Sequence, residues 1–168
     1  MNTHSDLLQP HARSQAENKP SLLVVVYGNP IYGDDAVDCQ ITTLLRELEL
    51  PNVTVSTVEH LTPELSAKLA TVDYAVFVHA CCMTTDLKID AVEARGIQSS
   101  GSSIPGGNWI PCSLLALTHS AYGHHPRSWS VKVASYNLVT RHNPSERMIY
   151  DDFEQIEALI HKCISEQN

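Results

Sequence analysis

The sequence has no apolar run as long as the roughly 20 residues that a helix needs to cross a bilayer, and no cluster of Lys or Arg. Eleven basic residues stand against nineteen acidic ones, a formal net charge of -8. Such a balance repels nucleic acid phosphates and anionic lipid, so neither nucleic acid nor membrane is an expected partner. There is also no CxxC pair: the five cysteines Cys39, Cys81, Cys82, Cys112 and Cys163 are odd in number and scattered. Neither a disulfide framework nor a structural zinc site is indicated, and a reducing cytoplasm is the expected setting. No internal repeat and no second-domain linker is visible.

Of 168 residues, 43% are hydrophobic and 18% charged, the balance of one globular domain able to bury its own core. Met1 to Pro20 mixes His, Ser, Gln, Asn and charge, without the apolar stretch of a secretory signal, and reads as a solvated tail. The domain is expected to fill residues 21–168.

Ser21 to Tyr27 is a continuous, Val-rich apolar run, the pattern of a strand buried on both faces. After the loop Gly28 to Gly33, Asp34 and Asp35 open a helix in which Val37, Ile41, Leu44, Leu45 and Leu48 recur at helical spacing. Val53 to Val58 alternates as a second strand. Leu61-Thr62-Pro63-Glu64-Leu65 predicts a helix start, with Thr as cap and Pro at the first position.

Tyr74 to His79 reads as a third strand ending at His79, and Leu87 to Val92 as a fourth. The Ser- and Gly-rich stretch Ile97 to Gly107 reads as a loop that could serve as a lid. Pro111 begins a helix that stops near Tyr122-Gly123. Trp129 to Ala134 is the fifth strand, and Asp152 to Ile164 closes the chain as an amphipathic helix through Phe153, Ile156, Leu159, Ile160 and Cys163. Strands alternating with helices predict an α/β fold: a single domain with a mainly parallel, twisted, five-stranded sheet and helices on both faces. Ligands in such sheets bind beyond the carboxyl ends of the strands, so chemistry is sought just after each one.

The first such segment, Gly28-Asn29-Pro30-Ile31-Tyr32-Gly33-Asp34-Asp35, brackets four residues with glycines as a phosphate loop does. It lacks the Lys-Ser/Thr that neutralises phosphate, and two aspartates sit where the anion would. The aspartates suit either a cation or a plain helix cap and dipole partner. His79 and His60 follow strands and could bind a divalent metal together with Asp35; the plainer alternatives are a satisfied strand-end histidine and a surface histidine. Cys81 and Cys82 read as soft metal ligands, a nucleophile or inert buried thiols. His119, His124 and His125 read as helix-end and loop histidines.

The order of these motifs resembles the hydrogenase maturation endopeptidases. Gly-Asn-Pro-x-x-Gly-Asp-Asp-x-Val stands at Gly28 to Val37 and Leu-Thr-Pro-Glu-Leu at Leu61 to Leu65. An apolar strand follows at Ala75 to Val78, then Pro-x-x-Leu-Leu-Ala-Leu at Pro111 to Leu117 and Tyr-Gly-x-x-Pro at Tyr122 to Pro126. The resemblance implies a compact monomer that recognises nickel already placed in a nickel-iron hydrogenase large subunit and removes that subunit's carboxyl-terminal extension.

It further implies that Asp35 is the acidic residue contacting nickel and supporting catalysis. The family's aspartate at the end of the third strand aligns with His79. The histidine ahead of the Pro-x-x-Leu-Leu helix aligns with Asn108 or Gly107. Two of three metal-contacting positions are therefore changed, and the Gly-Glu with Leu-Ser expected after the fifth strand is absent from Leu138 to Arg147. Imidazole is a sound nickel ligand, so His79 and His60 could rebuild the site, with Asn29 and Asn108 against the substrate. The alternative is a non-catalytic relative that binds a protein carboxyl-terminal segment or a metal-loaded partner as a chaperone.

Overall fold

The computed structural model describes residues 20–28, 35–95, 109–135 and 144–165. Along the chain run β1 (Leu22–Tyr27), α1 (Asp35–Glu47), β2 (Val53–Val58), α2 (Leu65–Leu69), β3 (Tyr74–Cys81), β4 (Lys88–Val92), α3 (Pro111–Tyr122), β5 (Arg127–Ala134) and α4 (Glu146–Ser165). The five strands form one sheet in the order β2-β1-β3-β5-β4. The pairs β1–β2, β1–β3 and β3–β5 are parallel, whereas β4 runs antiparallel to β5 at the edge. The α/β class and the mainly parallel five-stranded sheet are as the sequence predicts.

The apolar run of β1 has its reason in this order, because a strand flanked on both sides and covered on both faces excludes water from every side chain. Leu22, Val24 and Val26 enter one core with Val76, Val78, Val131 and Val133, closed by Val37, Ile41 and Leu45 of α1 and Ile149, Phe153, Ile156 and Ile160 of α4. Leu23 and Val25 enter the other with Ala75 and Phe77, closed by Leu65 and Leu69 of α2 and Leu114 and Leu115 of α3. Each such fully buried aliphatic or aromatic side chain stabilises the fold by roughly 1.5–3 kcal/mol over its exposed state.

The amino-terminal edge of the sheet is pinned by Asp73, whose Oδ2 accepts hydrogen bonds from the Ser21 N–H and the Ser21 hydroxyl, both at 2.8 Å. Gly123 ends α3 in the left-handed region at φ 80°, its N–H donating to the His119 carbonyl at 2.8 Å, as the Tyr122-Gly123 stop predicts.

Several boundaries differ from the sequence reading. Leu61 to Glu64 does not enter α2: Leu65, Ser66 and Ala67 N–H groups donate to the carbonyls three residues back, so the segment winds as a tighter turn before the five-residue helix. Helix α4 begins at Glu146 rather than Asp152, because Ile149 reaches the core one turn earlier. β3 continues through Ala80 and Cys81, so His79 lies within the strand rather than at its end. The stretch 97–107, read as a lid loop, lies outside the described residues, as do the tail 1–19 and the loop 29–34.

Candidate functional site

The chain leaves β1 toward β2 on one side, and β3 lies on the other. The crevice between the carboxyl ends of β1 and β3 is therefore the topological switch point, where sheets of this kind receive ligands. Tyr27 closes β1 there, and His79 stands beside it on β3. Their ring centroids are 5.0 Å apart with the planes tilted by 32°. Strand parity puts both on the α2 and α3 face, since Val25 and Phe77, two residues earlier, belong to that core.

On its other flank His79 is paired in register with Lys132 of β5. The His79 ring is half-buried, and its Nδ1 is fully buried with no hydrogen-bond partner. Burial lowers its pKa from 6.5, and the Lys132 ammonium lowers it further. The imidazole is thus neutral at neutral pH, the form that has a lone pair to offer. Tyr27 responds oppositely: burial pushes its phenol up to about 12, so it remains a protonated hydrogen-bond donor.

The other predicted residues are not gathered with His79. His60 is exposed in the bend after β2, on the far side of β1 from β3, so two strand spacings of about 4.8 Å separate the backbones involved. It lines a separate cavity of about 500 Å³ with Val58, Glu59, Thr62, Glu64, Leu65 and Lys68. The Glu64 carboxyl there is held below its ordinary value, chiefly by a hydrogen bond from Thr62. Asp35 is the first residue of α1, but its side chain lies outside the described residues, as do Asn29 and Asn108 entirely.

Among the described residues no group of three His, Cys, Asp or Glu side chains could hold a metal ion. At the switch point His79 has the right chemistry for a nickel contact, and the adjacent Lys132 charge works against a cation. The described residues thus do not by themselves make a nickel centre.

Cys81 and Cys82 are half-buried free thiols just beyond His79. The Cys81 carbonyl accepts the Ser135 N–H at 3.3 Å and so keeps β3 and β5 together to their ends. His124 bridges the Tyr122 carbonyl at 3.1 Å and the Ala70 carbonyl at 2.7 Å, fastening the end of α3 to the end of α2. His119 and His125 meet edge to face at 5.6 Å. The residues missed by the sequence reading are Tyr27 and Lys132. Lys132 sits between two core valines, and the alternation of β5 turns it to the same face as His79, a signal that acquires meaning only once the register is known.

No protein-family model and no curated protein matches the chain. Solved structures do match in fold. The [NiFe] hydrogenase maturation protease HycI from Thermococcus kodakarensis superposes with a TM-score of 0.58 at 18% identity, over 89% of this chain and 96% of that one. The hydrogenase maturating endopeptidase HybD from E. coli gives 0.57 at 22% identity, over 84% and 93%. Pyrrolidone carboxyl peptidase from Thermococcus litoralis gives 0.52 at 12% identity, over 86% and 93%. The fold is therefore that of the hydrogenase maturation endopeptidases, as the motif resemblance implies, and it also carries a peptidase of a different name. Fold and site are separate matters, and function is argued from the site.

Proposed function

We propose that the protein is an endopeptidase that removes the carboxyl-terminal extension of a nickel-iron hydrogenase large subunit, with nickel supplied inside that substrate. The observation that carries this reading is the fold shared with two hydrogenase maturation proteases over 89% and 84% of this chain, joined to the order of motifs from Gly28 to Pro126. In this reading the extension lies across the carboxyl ends of β1 and β3. His79, neutral through burial, contacts the substrate's nickel, and Asp35 at the start of α1 contacts the same metal and orients the attacking water. Asn29 and Asn108 are assigned to the substrate by the motif resemblance alone. In this reading the protein acts as a cytoplasmic monomer, the setting suggested by an odd number of cysteines without CxxC spacing. Among the described residues no helix is long and apolar enough to cross a membrane.

A second reading has one observation in its favour: Lys132 stands beside His79, where the related peptidases are read as having a carboxylate for the metal. A positive charge there favours an anionic peptide group over a cation. In this reading the protein binds the carboxyl-terminal segment of a partner without cutting it. Mass spectrometry of a nickel-loaded large-subunit precursor, incubated with the protein or with its Asp35→Ala variant, separates the two. Release of a defined carboxyl-terminal peptide by the native protein alone supports the endopeptidase. An intact precursor, in a sample that an active maturation protease does cut, removes that reading and leaves the binding protein.

A further inference from the structure

We propose that the sheet carries a carboxylate-binding row at its carboxyl edge, formed by Lys88, Lys132, His79 and Tyr27, which receives the free carboxylate of a peptide chain. The register builds this row. Lys88 pairs with Lys132 across β4 and β5, Lys132 with His79 across β5 and β3, and the His79 ring stacks on Tyr27 of β1. Residues directly opposite one another in a sheet share a face. Here it is the α2 and α3 face, because Val92 of β4 and Phe77 of β3 pack on that side at the same parity, while Val131 and Val133 put Lys132 on the side opposite to theirs.

Two lysines directly opposite each other repel, and such pairs are destabilising unless a counter-charge lies between them. Among the described residues neither lysine takes part in an ion pair: the pairs that form are Arg95–Glu93, Arg147–Asp151 and His161–Glu157. Asp90 lies two residues along β4 on the same face, opposite Ser130, and is not within ion-pair distance of either lysine. A chain of net charge -8 that sets two lysines side by side on the strands next to its switch point, unpaired among the described residues, has built a local site for an anion. The neighbours extend the row, since the Tyr27 ring packs on His79 with centroids 5.0 Å apart and the His79 Nδ1 has no hydrogen-bond partner. The adjacent ammonium groups of Lys88 and Lys132 match a single carboxylate, whereas a nucleic acid strand would meet the repulsion of the remaining acidic surface.

This deepens the reading above by naming the peptide group recognised, and it is read by binding alone, so cleavage and carboxylate recognition fail separately. The test titrates the full chain with N-acetyl-tetraalanine bearing a free carboxyl terminus, with its carboxyl-terminal amide, and with inorganic phosphate, following backbone amide resonances. The free acid is expected to shift residues around Lys88, His79 and Lys132, and the amide to bind about tenfold more weakly, the scale of losing a hydrogen bond to a charged group.

Lys132→Gln and Lys88→Gln are each expected to lose a similar factor, Lys132→Arg to retain affinity, and Lys162→Gln on α4 to leave it unchanged. Unfolding curves add an independent readout: without ligand at low salt, Lys132→Gln should melt higher than the native protein, because a repulsion is relieved. Equal binding of acid and amide overturns the proposal, as does undiminished binding by Lys132→Gln or a lower melting point for that variant. Binding of phosphate with none of the peptide acid overturns it in favour of a free-oxyanion site.

Discussion

If the Tyr27 ring is packed over His79 at the mouth of the switch point, its phenol must resist ionisation, and that resistance is measurable as stability. Burial raises its pKa from 10.0 to about 12. A group whose folded pKa is raised contributes stability that is complete below the unfolded value and is lost as pH rises toward the folded one. With these two values the loss reaches about 1.4 kcal/mol at pH 11 and tends to about 2.7 kcal/mol well above pH 12. Tyr27→Phe keeps the ring and removes the titration.

Urea unfolding of both proteins at pH 8 and pH 11 isolates the effect, since lysine and cysteine ionisation is common to the two. The native protein should lose about 1.4 kcal/mol more than the Phe variant over that interval. Parallel losses would refute the reasoning: the phenol would then be solvated, the ring would not cover His79, and burial could not be what keeps the imidazole neutral.

Further outcomes follow from the packing. Phe77→Ala empties the centre of the α2 and α3 face core, where Phe77 is wholly buried, and should cost about 3–5 kcal/mol, read as a lower urea midpoint at unchanged slope. Asp152, on α4, has its carboxyl pKa raised by burial first and then by Asp151 and Asp86, so the ionised form is disfavoured in the fold. A raised acid contributes stability below its unfolded value of 3.8 that is lost as pH rises. Asp152→Asn should therefore raise the melting temperature at pH 7, and the advantage should vanish below pH 3.8.

The central strands were the most legible part of the sequence, and the reason is geometric. β1 and β3 are flanked by strands and covered on both faces, so they must be apolar at every position, and the runs at 22–27 and 74–78 announce this directly. Element ends were less legible where side chains had other work. Thr62, read as a helix cap, instead bonds the Glu64 carboxylate, and the turn around Pro63 closes with tighter hydrogen bonds than a helix. β5 begins at Arg127, two residues before the start predicted at Trp129, and the Arg127 guanidinium lies 5.3 Å from the Trp129 ring centroid, which shelters it.

The site was only half legible, for a reason of register. His79 could be singled out from its place after an apolar run. Its neighbours Tyr27 and Lys132 come from strands 52 residues before and 53 after, and only the parallel pairing of β1, β3 and β5 brings the three into one row. His60 shows the converse: it follows a strand just as His79 does, yet β1 stands between them. A position after a strand places a residue at the right edge of the sheet, whereas strand order decides which residues meet.

The claim on which both functional readings depend is that the carboxyl edge between β1 and β3 receives a protein's carboxyl-terminal segment. Comparing the affinity of the protein for a hydrogenase large-subunit precursor with its affinity for the same subunit lacking the extension tests this directly, whether or not cleavage follows. The account predicts a complex with the precursor and at least tenfold weaker binding to the shortened subunit, a difference of about 1.4 kcal/mol. Equal affinity for the two forms would contradict it.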